Sequence, residues 1–224
     1  MRKIIKSVIE RIPSSVFERL LAFSLINENF SAIRVRPKFQ KREDLWKDVL
    51  DKFNDNRITV IEFGVWQGYS IKKFAELNTN LNSEFFGFDS FLGLPENWIS
   101  TRPKGSFNEN GNLPKVDDNR IKFVKGWFQN TLPSFIKENK IDENLFVHYD
   151  ADIFSATLFA MLEIDKLKIP YYAVFDEFTG HETRALHRYM QISGAEVELI
   201  ASTGNKRYPA QVSCLIKPIK VFDV

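Results

Sequence analysis

The chain has 224 residues, of which 44% are hydrophobic, 27% are charged and 21 are phenylalanine. That is enough apolar material for one α/β domain with a full core, which excludes a wholly disordered chain. The 31 basic and 29 acidic side chains leave a formal charge of +2, so no strong field is available to hold a phosphate backbone, and nucleic acid is a poor default partner.

The N-terminus begins Met1-Arg2-Lys3, and Lys6, Glu10 and Arg11 interrupt the apolar residues that follow before a signal-peptide core can form. Ile4, Ile5, Val8 and Ile9, then Phe17, Leu20, Leu21 and Leu25, fall at helical spacing around a break at Pro13-Ser14-Ser15. Two short amphipathic helices are expected, acting as a lid or as the contact of a homodimer. Residues 34–41 are basic and carry Pro37, which suits an extended connector. The reading is therefore a helical appendage over 1–41 and a catalytic domain over 42–224.

From there the pattern becomes rhythmic. A helix is expected over 42–53, and 58–63 is a short apolar run without alternation, as in a parallel strand covered on both faces. Further strand-like runs lie at 84–88, 121–124, 145–149 and 171–175, with helical periodicity at 71–77, 157–167 and 183–193, the last ending at Gly194. Late strands at 196–202 and 211–216 suit an antiparallel edge hairpin. The fold class is thus α/β, a Rossmann-like, mostly parallel sheet with helices on both faces. Residues 93–119 contain three prolines and three glycines without a sustained period, which predicts a long loop of the kind that covers active sites. No run reaches the roughly 18 apolar residues of a membrane span. Cys214 is the only cysteine and sits in an apolar run, which predicts a buried, inert thiol and fits a reducing cytoplasm.

Two constellations carry chemistry. Glu62, Gly64 and Gly68 stand at a strand-to-helix turn, where glycine lets a ligand approach the backbone. The spacing is not that of pyrophosphate binders. An acid there would repel a pyrophosphate but matches the cationic aminoacyl end of S-adenosylmethionine (SAM). Asp89 ends the next strand, 27 positions on (89 − 62), where it can accept hydrogen bonds from ribose hydroxyls. The second group is His148, Asp150 and Asp152 at one strand end and Asp176 and Glu177 at the next. Converging carboxylates repel one another unless a cation sits between them, and hard oxygen ligands suit Mg²⁺ or Ca²⁺. Asp152 is alternatively a cap of the following helix. His148 and His181 flank the acids and are the candidate general bases. Trp66, Phe91, Trp98, Trp127 and Phe178 fall beside the site in sequence, and Arg102, Lys104, Arg184, Lys206 and Arg207 are the cations that an anionic acceptor would meet.

The phrases Glu62-Phe-Gly-Val-Trp-Gln-Gly-Tyr-Ser70, Gly87-Phe-Asp-Ser-Phe-Leu-Gly-Leu-Pro95, Gly126-Trp-Phe-Gln-Asn-Thr-Leu-Pro133 and Asp150-Ala-Asp-Ile-Phe-Ser155 resemble, in order, the macrocin O-methyltransferase family over about residues 58–178. The resemblance implies a class I SAM-dependent enzyme that methylates a hydroxyl of a small molecule, a sugar or natural product, with Mg²⁺. It implies that Glu62, Gly64, Gly68, Ser70, Asp89 and Ser90 line the cofactor site, with Gly126 and Trp127 near the adenine. It assigns the metal to Asp150, Asp176 and Glu177, the last in place of the family's usual aspartate. Two rival readings stand beside it. One takes Asp150-Ala-Asp152 as the metal motif of a nucleotide-sugar glycosyltransferase, and the other makes the chain a non-catalytic SAM-binding module.

Overall fold

A computed structural model describes residues 12, 14–141, 143–205 and 207–219. The apolar residues from Ile4 to Ile9 lie outside these, as does Lys206. In chain order the elements are α1 (Ser14–Asn29), a 3₁₀ turn (Ser31–Val35), β1 (Lys38–Phe39), α2 (Arg42–Asp51), β2 (Thr59–Phe63), α3 (Tyr69–Leu77), β3 (Glu84–Asp89), β4 (Ile121–Lys125), α4 (Phe128–Glu138), β5 (Leu145–Tyr149), α5 (Phe154–Asp165), β6 (Tyr171–Phe175), α6 (His181–Ser193), β7 (Glu196–Gly204) and β8 (Pro209–Lys217).

The eight strands form one sheet in the order β1-β7-β8-β6-β5-β2-β3-β4. Strands β2 to β6 run parallel, while β8 pairs antiparallel with both β6 and β7. The hairpin is not the outermost strand pair. The stretch read as an extended connector supplies β1, which adds parallel to β7 through Lys38 opposite Ser202 and Phe39 opposite Thr203. Strand β2 lies between β3 and β5, so the strand order reverses there, and an open α/β sheet presents its ligand crevice at such a point.

All five residues of β2 and of β5 are buried, because helices cover both faces. On one face Ile61, Phe63, Phe88, Val147, Tyr149 and Phe175 pack under α4, α5, α6 and the end of α1. On the other, Val60, Phe85, Phe146 and Val174 pack against Trp46, Val49, Ile71 and Phe74 of α2 and α3. Side chains alternate between the faces with period two, so Glu62 and His148, in phase with Val60 and Phe146, point into the α2–α3 layer. Leu25, Ile26, Phe30 and Ile33 join the first core, so α1 and the 3₁₀ turn pack onto the sheet. On the outward side of α1, Val16, Phe17, Leu20 and Leu21 are exposed. Cys214 is buried and free, as its apolar surroundings predict. Among the described residues no helix is long and apolar enough to cross a membrane.

Candidate active site

A cavity of about 410 Å³ opens at the carboxyl ends of β2, β3, β5 and β6. Its walls come from the turn after β2, the loop after β3, the start of α4 and the acidic segments after β5 and β6. The long stretch 93–119 contains no helix or named strand, only an isolated bridge between Ile99 and Arg102 and one from Asn108 back to Leu92. It folds over the cavity and contributes Leu94, Trp98, Arg102 and Phe107.

The turn after β2 is built around glycine. Gly64 has φ +90, and a Cβ there would stand 1.9 Å from the carbonyl oxygen of Asp150, so any side chain would push the β2 and β5 loops apart. Gly68, at φ +74, precedes α3 and donates its N–H to Val65 O at 2.8 Å. Asp89 holds this turn against the next loop. Its Oδ2 accepts the N–H groups of Val65 and Trp66, both at 2.9 Å, and its Oδ1 accepts that of Phe91 at 2.7 Å. A carboxylate has about four acceptor positions, so Oδ1 retains capacity toward the cavity that Asp89 lines. Ser70 and Ser90 also line the wall, and Ser90 Oγ accepts the N–H of Leu92 at 3.1 Å. Trp127 reaches the cavity, whereas Gly126 and Gly68 are not on its wall. Gly126 instead donates its N–H to Asp89 O at 2.9 Å.

Glu62, expected against the aminoacyl end, lies inside the protein and is fully buried. Its Oε1 meets His148 Nδ1 at 2.9 Å, under the edges of Trp46 and Phe74, whose ring centroids lie 5.6 and 5.1 Å from that of His148. Burial raises the Glu62 carboxyl, against the lowering effect of His148. Burial opposes charge on His148 as well, yet the carboxylates of Asp176 and Glu62 outweigh it and push the imidazole up to about 10. Neither residue lines the cavity.

Asp150 and Asp176 continue the strand ladders, donating their N–H groups to Phe63 O at 2.9 Å and Tyr149 O at 3.0 Å. One ligand atom from each of Asp150, Asp176 and His148 lies within 4.8 Å of the others. Asp176 Oδ1 accepts from Gln211 Nε2 and stands 3.8 Å from His148 Nε2. Burial works against the Asp176 charge, but His148, Arg42 and Gln211 hold its carboxyl below the usual range. Asp150 is raised well above its usual value by burial and by the neighbouring Asp176 charge. Asp152 is pushed up to about 8 by burial and by the charges of Glu177 and Asp176. Its φ of +61 is left-handed, a strained conformation for a side-chain-bearing residue. Glu177 is raised by burial and by Asp176; it lies on the same wall but outside the three residues whose ligand atoms converge.

These carboxyls are held where charge is costly, and Gln211 Oε1 is buried beside them without a hydrogen-bond partner. Such a donor set, acids with an unmatched polar atom, fits a hard divalent cation.

The other sequence candidates separate clearly. His181 Nδ1 accepts the N–H of Phe154 at 3.2 Å at the start of α5, burial lowers its proton affinity, and it is not on the cavity wall. Trp66, Trp98 and Trp127 line the cavity, whereas Phe91 and Phe178 are fully buried core residues. Arg102 is on the wall, stacked over Phe107 at 5.3 Å. Arg184 pairs with Glu18 of α1, and Lys104 and Arg207 lie off the wall. Sequence reasoning missed Arg42 and Phe107, both on the wall, and no local motif signals either.

A mostly parallel sheet with an antiparallel β6-β8-β7 end, a glycine turn and an acidic residue at the next strand end together define the class I methyltransferase fold. The same fold is found in CalS11, a calicheamicin methyltransferase, at 19% identity over 90% of this chain and 92% of that chain with a TM-score of 0.56. It is found in the O-methyltransferase NovP at 18% identity over 80% of each chain, TM-score 0.58. The structure of cmcI-D160 with Mg-SAM aligns at 16% identity over 80% of this chain and 69% of that one, TM-score 0.50. The model of the macrocin-O-methyltransferase (TylF) family matches residues 39–201, and the chain belongs to that family. No curated protein sequence matches the chain. Membership bears out the resemblance of the four phrases, and neither the glycosyltransferase nor the non-catalytic reading finds support among these relatives.

Proposed function

We propose that the protein transfers the methyl group of SAM to a hydroxyl of a small-molecule acceptor, a sugar or natural product, at a site that also takes a divalent cation of the Mg²⁺ type. The observation that carries this reading is one cavity shared by two kinds of chemistry, lined both by the Asp89-clamped glycine turn and by Asp150, Asp152 and Asp176. Mg-SAM in cmcI-D160 supports the pairing of cation and donor.

In this reading Asp89 orients the ribose through Oδ1, and the Gly64 to Ser70 turn receives the methionine portion. Asp150 and Asp176 hold the cation, with His148 behind them and Glu177 beside them. When bound, SAM supplies an electrophilic methyl on a sulfonium and the cation lowers the pKa of the acceptor hydroxyl. In this reading the proton passes to a carboxylate oxygen of Asp152, which lines the cavity beside Asp150 and Asp176. His148 and His181, the bases expected from sequence, both lie off the wall; in this reading His148 positions the acids through Asp176. Trp98, Trp66 and Phe107 enclose the acceptor and exclude water.

Calorimetric titration with SAM and with UDP and GDP sugars tests the donor class; SAM binding with no sugar-nucleotide binding is expected, and the reverse would sink it. The exposed apolar face of α1 supports a homodimer contact within residues 1–41, checked by light scattering, and the free buried Cys214 supports a reducing cytoplasm.

A further inference from the structure

The cavity has a lopsided charge. Among the described residues five carboxylates line it, Asp89, Asp150, Asp152, Asp176 and Glu177, against two guanidiniums, Arg42 and Arg102. The methionine end of SAM carries its own carboxylate, which an acid-rich wall would repel. Arg102 sits on the long loop, stacked over Phe107. Arg42 sits at the turn.

Arg42 opens α2. Its guanidinium carbon lies 5.1 Å from the ring centre of Trp46 and 5.0 Å from that of Tyr69. Trp46 is fully buried, and the Tyr69 hydroxyl donates to Glu43 Oε1 at 2.9 Å, so both faces that hold the guanidinium are themselves fixed. Its one ion pair among the described residues runs from Nε to Glu43 Oε1 at a long 3.6 Å, which leaves the two terminal nitrogens of its planar fork for a ligand. The side chain is 44% exposed and lines the cavity together with Gly64, Tyr69 and Ser70. A fork packed against two tilted aromatic rings is pre-organised for a bidentate carboxylate.

Building on the methyl-donor reading, we infer that Arg42 binds the methionyl carboxylate of SAM, assisted by the Ser70 hydroxyl on the same wall. Arg42 is then a binding residue that sets which sulfonium the site accepts. The competing role is that of a diffuse counter-charge for the acids, since Arg42 also steadies the ionised form of Asp176. The two roles differ in what they discriminate. A counter-charge acts through its field, which Arg42→Lys keeps, whereas a carboxylate ligand distinguishes SAM from decarboxylated SAM, which keeps the sulfonium, ribose and adenine, through a planar fork that Arg42→Lys loses.

The test is calorimetric binding of SAM and decarboxylated SAM to the full chain, wild type and Arg42→Met, with Arg42→Lys as the variant that keeps the charge. Loss of a half-exposed charged hydrogen-bond pair is worth about 10- to 30-fold in affinity. Wild type is expected to prefer SAM by about that factor, Arg42→Met to lose the preference while holding decarboxylated SAM within about twofold, and Arg42→Lys to recover part of it. Equal wild-type affinity for the two ligands overturns the inference without any variant and leaves the methyl-donor reading standing. A preference for SAM that Arg42→Lys retains in full assigns the counter-charge role instead. Wild type that binds neither ligand overturns the methyl-donor reading and this inference together.

Discussion

Glu62 Oε1 and His148 Nδ1 meet at 2.9 Å with both side chains fully buried, one strand apart in the centre of the sheet. Two groups that are costly to bury singly neutralise each other there and set the floor on which Asp150 and Asp176 stand. Removing one partner leaves the other uncompensated, at a cost of about 3–5 kcal/mol. Glu62→Ala is expected to lose that much in urea denaturation, and Glu62→Gln, which keeps an acceptor, clearly less. A loss below about 1 kcal/mol for the alanine variant would show that the pair does not support the floor.

Gly64 and Gly105 form a matched contrast in backbone strain. Both have positive φ, +90 and +85, but a Cβ at Gly64 collides with Asp150 O whereas one at Gly105 meets nothing within 4 Å. Gly105→Ala should cost about 1 kcal/mol from the backbone alone, and Gly64→Ala about 3–5 kcal/mol once forced separation of the β2 and β5 loops is added. Denaturation midpoints of the two variants side by side check this, and equal losses would contradict it.

Asp89 and Asp150 should separate binding from turnover. Asp89→Ala releases three loop N–H groups as well as the proposed ribose contact, so SAM affinity should fall by about 30-fold or more, roughly 2 kcal/mol. Asp150→Ala should hold SAM within about threefold while methyl transfer to a hydroxyl acceptor disappears. Chelation by EDTA should abolish turnover and leave SAM binding in place. Full turnover after chelation, unchanged by added Mg²⁺, would remove the cation from the proposed mechanism.

Asp118 and Arg120 give the acid limb of stability. The Asp118 carboxyl takes hydrogen bonds from Arg120, which hold it below its usual range against partial burial. Arg120 in turn caps the end of α3 by donating to the carbonyls of Ala75 and Asn78, both at 2.7 Å. A carboxyl with a depressed folded value contributes stability above its unfolded value, near 3.8, and loses it as pH falls through the folded one. Urea midpoints of wild type and Asp118→Asn should therefore differ at neutral pH and converge at about pH 2 to 3. A gap that stays constant over that range would contradict the assignment.

Much of the fold is legible because parallel strands buried on both faces appear as unbroken apolar runs, and Asp89 is legible because it closes such a run. Glu62 is harder. Its position before the glycines suggests a ligand-facing acid, yet it stands one residue short of the strand end and in phase with Val60, which turns its side chain sideways into the α2–α3 layer. The same phase carries His148 off the cavity wall. Helix α4 is masked in the sequence by Pro133 within it, although Phe128, Leu132 and Phe135 keep the spacing of one helical face. Arg42 belongs to no motif, since its place depends on α2 and α3 packing together.

The two-residue pairing of Lys38 and Phe39 with β7 bears on how the molecule avoids its own kind. Strand β7 would otherwise end the sheet with a row of open donors and acceptors, a template for another chain to zip onto. At the opposite border β4 is short and carries Lys122 and Lys125, whose charges discourage the same event. A protein shortened to begin at residue 42 would lose the first safeguard and keep the second, so clumping through the uncovered border would compete with folding.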